Sequence, residues 1–210
     1  MSSLTHVLYL HGFRSSPLSA KAQFLTAWFE KHLPDAVWCC PQLPASPQES
    51  AALIHNLVKD WPKNKMLVIG SSLGGFYATW LAAQMRCKAL LLNPAVHPAR
   101  DLANYIGEHP VWQNPEDTIF FNPDYIDELK ALYVGEGLAW LNDKASVTFT
   151  PDAKEMMAVI ATGDEVLDWR EMSARYAHVQ QHIIQGSNHG LSDFEVHWPM
   201  VQTFLTLDLI

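Results

Sequence analysis

Short apolar runs alternate along this chain with longer segments that carry their apolar residues on one side only. The runs fall at residues 6–10, 36–40, 66–69, 89–92, 157–161 and 182–184. They are bounded by Gly, Pro or Asn, and several are apolar on both faces. That is the pattern of strands in a parallel sheet covered on both sides. The segments between them predict helices. Residues 19–33 place Phe24, Leu25, Trp28 and Phe29 on one face. Ser46-Pro47-Gln48-Glu49 has the spacing of a capping box with proline at the first helical position, and opens a helix to about residue 61. Residues 73–85 follow a glycine-flanked turn. Asp168 and Glu171 repeat the box spacing ahead of a helix to about 177, and Ser192 and Glu195 do so ahead of one to about 205. The alternation predicts an α/β fold: one domain over residues 1–210, about six mostly parallel strands, helices on both faces.

One stretch breaks the rhythm. Residues 97–153 contain no run of the same quality, but they hold Pro98, Pro110, Pro115, Pro123 and Pro151 and the aromatics Tyr105, Trp112, Phe120, Phe121, Tyr125, Tyr133 and Trp140. A structureless loop of that length is uncommon inside a domain. The stretch is therefore expected to be a helical insertion between the fourth and fifth strands, with a helix over 124–133. It would cover a sheet edge, act as a lid over a site, or both.

Composition narrows the class. Of 210 residues, 49% are hydrophobic and 17% charged, which excludes a disordered chain. Fourteen Lys and Arg stand against 22 Asp and Glu, a formal charge of -8. An acidic chain without a basic tract argues against nucleic acid and anionic membranes as partners. The first apolar run, 7–10, is too short for a signal core or a spanning helix. Cys39, Cys40 and Cys87 are odd in number and lack CxxC spacing, so they predict reduced thiols and a cytoplasmic location.

The chemistry begins at Gly70-Ser71-Ser72-Leu73-Gly74, where an apolar run meets a predicted helix. By itself, Gly-x-Ser-x-Gly arises by chance in about one chain in fifteen of this length. Its context gives it weight. A nucleophile elbow needs a buried strand before it, a helix after it and small neighbours around a serine in a strained turn. Ser72 is then the candidate nucleophile, with the Leu73 N–H facing developing negative charge. The blander reading is a glycine turn with Ser72 as a helix cap. A phosphate-binding loop is disfavoured, because neither Lys-Ser/Thr nor Gly-x-Gly-x-x-Gly is present.

A serine nucleophile needs a base and an orienting carboxylate, in the chain order Ser, acid, His on an α/β sheet. Sites on open parallel sheets lie at the carboxyl ends of strands. Of ten histidines, only His189 follows the last strand directly, in Gly186-Ser-Asn-His189-Gly190. The carboxylate should follow the preceding strand, in Thr162-Gly163-Asp164-Glu165-Val166-Leu167-Asp168. Asp164 comes first after the turn, Asp168 is expected to cap a helix, and Glu165 is expected to point elsewhere. The second oxyanion donor should come from the loop after the first strand. In His11-Gly12-Phe13 the glycine permits close approach, and the Phe13 N–H is the candidate donor. His11 is expected to make a structural hydrogen bond. No metal or organic cofactor is called for.

With these residues in place, the chain resembles the α/β-hydrolase superfamily, and within it the small YqiA-like esterases of bacteria. The narrower likeness rests on the block from Tyr9 to Pro17 with Lys21-Ala22 following, on Gly70–75, on Asn93-Pro94-Ala95, and on Gly163-Asp-Glu-Val-Leu-Asp168. It implies a hydrolase core without leading antiparallel strands, acting on small-molecule acyl esters or acyl thioesters, with Ser72, Asp164 and His189 as triad. The same three side chains would also suit an acyl-CoA thioesterase, or a lyase or perhydrolase. A reading of a different class is a ligand-binding scaffold without turnover. Reaction with a fluorophosphonate separates that from an enzyme.

Overall fold

Apolar runs with two buried faces have only one another to pair with, and here they do. The computed structural model describes residues 4–135 and 154–206. β1 (His6–Leu10), α1 (Ala20–His32), β2 (Val37–Cys39), α2 (Pro47–Val58), β3 (Met66–Ser71), α3 (Leu73–Met85) and β4 (Lys88–Leu92) alternate in order. α4 (Pro98–Asp101), β5 (Gly107–Pro110), β6 (Thr118–Phe121) and α5 (Tyr125–Ala131) follow. β7 (Met156–Ala161), α6 (Trp169–Arg175), β8 (Gln180–Ile184) and α7 (Phe194–Thr206) complete the described chain.

Six strands form one sheet in the order β2-β1-β3-β4-β7-β8, every pair parallel. The chain runs from β1 outward to β2, then crosses back to β3 on the other side of β1. That reversal opens a crevice at the carboxyl ends of β1 and β3, where open α/β sheets bind ligands.

Alternate strand residues feed two cores. Leu8, Leu10, Val68, Leu91 and Ile160 pack under α2, α3 and α6. Val7, Tyr9, Ile69, Leu92 and Val159 pack under α1 and α7 through Leu25, Phe29, Phe194 and Trp198. β3, β4 and β7 are buried at every position. Each aliphatic side chain so removed from water contributes about 1.5–3 kcal/mol. Predicted caps form at Ser46, which accepts from the Glu49 N–H at 3.1 Å, and at Asp168, which accepts from Arg170 at 2.9 Å.

The expected helical insertion is helical only in part. α4 and α5 are helical, but β5 and β6 form an antiparallel hairpin, paired from Gly107↔Phe121 to Pro110↔Thr118. Among the described residues it pairs only with itself, so it needs no continuous apolar run. Phe121 is buried while Phe120 faces out, and Pro110 stands at a strand end, where a missing N–H costs little. Residues 136–153 of the expected insertion, with Trp140 and Pro151, lie outside the described residues.

The hairpin docks on the loop after β1. Arg14 Nε donates to the Pro110 carbonyl at 2.9 Å, and the Trp112 N–H to the Arg14 carbonyl at 2.8 Å. The Arg14 guanidinium lies 4.1 Å over the Trp112 ring. Phe13 meets Tyr105, His109 and Phe121 edge to face. On the other side, Glu128 of α5 accepts from the Ser46 hydroxyl at 2.6 Å and the Gln48 N–H at 2.9 Å, so the insertion also completes the start of α2.

Candidate active site

Ser72 alone separates β3 from α3, with φ 55° and ψ −120°. A non-glycine residue in this region stores about 1–3 kcal/mol of strain and needs neighbours that hold it there. The Ser72 N–H donates to the Leu92 carbonyl at 3.0 Å, and its carbonyl accepts from Gly75 at 2.8 Å and Ala95 at 3.0 Å. The flanking glycines are required by contact. A Cβ on Gly70 would lie 2.2 Å from the Gly74 carbonyl oxygen, and one on Gly74 would lie 2.0 Å from that of Leu10. The helix thus starts hard against the sheet.

The loop after β8 carries His189 to this point. Its Nε2 lies 2.9 Å from Ser72 Oγ, and its Nδ1 lies 2.7 Å from Asp164 Oδ2. The Asp164 side chain is wholly buried, while the imidazole keeps a fifth of its surface. The other carboxylate oxygen of Asp164 accepts from Val166 N–H at 2.9 Å and Leu167 N–H at 2.8 Å. These two bonds fix Oδ2 toward the ring. Asp168 is the cap of α6, its carboxylate taken up by the backbone N–H and guanidinium of Arg170.

Glu165 departs from expectation. It does not point away: its Oε2 accepts from the backbone N–H of His189 at 3.0 Å. Asn93 is a second residue of the site that spacing did not single out for a role there. Its side chain is fully buried and donates to the carbonyls of Asn188 and His189, each at 3.1 Å, while Oδ1 accepts from Ala161 N–H at 2.8 Å. Its only sequence signal is the Asn93-Pro94-Ala95 block.

The loop after β1 closes the other side. A Cβ on Gly12 would stand 3.1 Å from Ser72 Cβ, so the backbone leading into Phe13 passes directly beside the serine. Leu73 is the first residue of α3, and its N–H is one of the helix's unpaired leading donors. His11 is structural. Its Nε2 accepts from the Leu43 N–H at 3.0 Å and its Nδ1 contacts the Gly12 carbonyl at 2.9 Å, which requires a proton on Nδ1. Burial lowers its pKa and favours this neutral form.

Two clefts flank the Gly12–Phe13 loop. One, of about 480 Å³, holds Ser72 and His189 with Lys21, Phe24, Trp112 and Glu165 on its walls. The other, of about 870 Å³, is lined by Phe13, Leu43, Leu73, Tyr77, Ile119 and Phe120. Among the described residues, no group of three His, Cys, Asp or Glu is placed to hold a metal ion. No described helix is long and apolar enough to cross a membrane.

Residues 6–206 match the uncharacterised protein family UPF0227. The chain belongs to that family. Its fold is the α/β-hydrolase fold, which this UPF0227 chain shares with distant solved structures. Est1E of Butyrivibrio proteoclasticus, solved with ferulic acid bound, has a TM-score of 0.67 at 13% identity, over 100% of this chain and 90% of that one. The α/β hydrolase domain-containing protein 10 of mouse gives 0.68 at 12%, over 99% and 91%. A methylesterase of Arabidopsis gives 0.57 at 13%, over 96% and 100%.

Proposed function

We propose that this UPF0227 protein is a serine hydrolase that cleaves carboxylic esters through an acyl-enzyme. The observation that carries this reading is the line Ser72–His189–Asp164, with both bonds to the imidazole at hydrogen-bond length and a buried carboxylate at its end. Esterases among the structures of like fold support it as analogy only.

In this mechanism His189 Nε2 takes the Ser72 proton as Oγ attacks the ester carbonyl. The tetrahedral oxyanion lies against the N–H groups of Phe13 and Leu73. Collapse expels the alcohol, which takes the proton from His189. Water then attacks the acyl-enzyme with the same base, and Ser72 recovers its proton as the acid leaves. Asp164 accepts the Nδ1–H, fixes the tautomer and stabilises the imidazolium. The insertion serves as a lid: its hairpin is bolted to the oxyanion loop, and Trp112 stands on the wall of the cleft. Three free thiols fit a cytoplasmic location.

The test is a panel of acyl esters and acyl-CoA thioesters of graded length, run on wild type and Ser72→Ala. Ester turnover that Ser72→Ala abolishes supports the reading. Thioester turnover with inert oxygen esters would move the leaving group from alcohol to thiol on the same residues. Full activity in Ser72→Ala would overturn it.

A further inference from the structure

Lys21 occupies a position that local energetics do not favour. It lies in the first turn of α1, where the helix dipole repels a cation. It lines the cleft of Ser72 and His189 and is partly buried there, at a cost that an apolar side chain would not incur. Its ammonium reaches across to the loop after β8 and donates to the carbonyl of Gly190, the neighbour of His189.

That loop needs holding. Ser187 and Leu191, neither of them glycine, both have positive φ, at 59° and 47°. Such backbone persists only where its surroundings impose it. Three side chains from three separate segments grip consecutive residues. Asn93 binds the carbonyls of 188 and 189, Glu165 binds the N–H of 189, and Lys21 binds the carbonyl of 190. Only the last can change its grip in the alkaline range. We infer that Lys21 is a positioning residue, whose charged clamp on Gly190 keeps the His189 imidazole in line between Ser72 and Asp164. This inference rests on the reaction proposed above.

The titratable groups facing Lys21 are Asp164, whose charge opposes its deprotonation, and Glu165, Glu195, His189 and Tyr9 along the cleft. Burial outweighs the carboxylate and brings Lys21 down to about 8. Below that value the clamp is a charge-assisted bond. Above it the neutral amine donates more weakly. Tyr9, buried and raised, does not ionise in this interval.

The experiment measures kcat and KM for a small neutral p-nitrophenyl ester from pH 6 to 10, in wild type, Lys21→Met, Lys21→Arg and Ser72→Ala. Exchange of the backbone amides of residues 188–192 is followed in parallel, since it needs no turnover. Wild-type kcat should fall as pH rises through about 8. Lys21→Arg, charged throughout, should lose that fall. Lys21→Met should lower kcat about tenfold or more at every pH with KM little changed, since small displacements of a reacting group cost up to about 10²-fold. Its loop amides should exchange faster than those of Lys21→Arg. Wild-type kcat and exchange in Lys21→Met overturn the inference while a dead Ser72→Ala leaves the hydrolase reading standing. An active Ser72→Ala locates the failure in that reading instead, and the exchange rates still decide whether Lys21 holds the loop.

Discussion

The side-chain amide of Asn93, at the end of β4, lies 3.1 Å from the backbone carbonyl of His189, 96 residues further along the chain. Through it the loop bearing the imidazole is tied to the centre of the sheet rather than to its own edge. Asn93 itself has φ 41°, a left-handed conformation that asparagine tolerates better than most residues.

Asn93→Ala removes three hydrogen bonds, one buried and two partly buried, leaves the Ala161 N–H unpaired and strains the backbone. At about 1 kcal/mol per bond plus the orphaned donor, the expected loss is about 3–4 kcal/mol. Urea unfolding checks it. Turnover of the folded fraction should also fall, because His189 loses its tether. A variant with wild-type stability would show that the bonds carry no net energy.

Asp164 and Asp168 are four residues apart and do different work. Asp164→Asn should lower kcat by roughly 10³–10⁴, because the imidazole loses its acceptor and its tautomer. Asp168→Ala should cost about 1 kcal/mol of stability through the lost cap of α6, with near-normal turnover. Measuring kcat and the unfolding midpoint for both variants separates the roles. Normal turnover in Asp164→Asn beside a dead, folded Asp168→Ala would reverse them.

Much of this was readable in the residues, for a physical reason. A strand buried on both faces cannot hide its composition, so the runs at 66–69, 89–92 and 157–161 coincide with β3, β4 and β7. β2 is shorter than its run because it is an edge strand, and Val37 is exposed. The hairpin escaped because it is partly solvated and its strands are joined by the long connection 111–117 rather than by a two-residue turn. The elbow was legible because Gly70, Ser72 and Gly74 belong to one strand–turn–helix unit and so stand together as a short pattern, although the contact that demands Gly74 is with Leu10 of β1. The supports of His189 are not local. Glu165, Asn93 and Lys21 lie 24, 96 and 169 residues from the groups they bind, and no spacing records such a partnership.

Among the described aromatic residues of the insertion, Trp112 and Phe121 are of different kinds. Trp112 is exposed and lines the cleft, whereas Phe121 is fully buried between Phe13 and Tyr125. Trp112→Ala should change the ratio of kcat/KM between short and long acyl esters, by about 10–200-fold at most. Phe121→Ala should instead cost about 3–5 kcal/mol of stability. Chain-length profiles and thermal melts distinguish them. An unchanged profile in Trp112→Ala would leave the insertion a passive cover.

The nucleophile is tested most directly by intact-mass and peptide mapping after reaction with a fluorophosphonate. One adduct per chain is expected, on Ser72, absent in Ser72→Ala and retained in Ser71→Ala, since Ser71 is a buried residue at the end of β3. Ser72→Ala should lower kcat by about 10⁴–10⁶ in a folded protein. No adduct on the wild type, or an adduct on Ser71 that persists in Ser72→Ala, would contradict the assignment of Ser72.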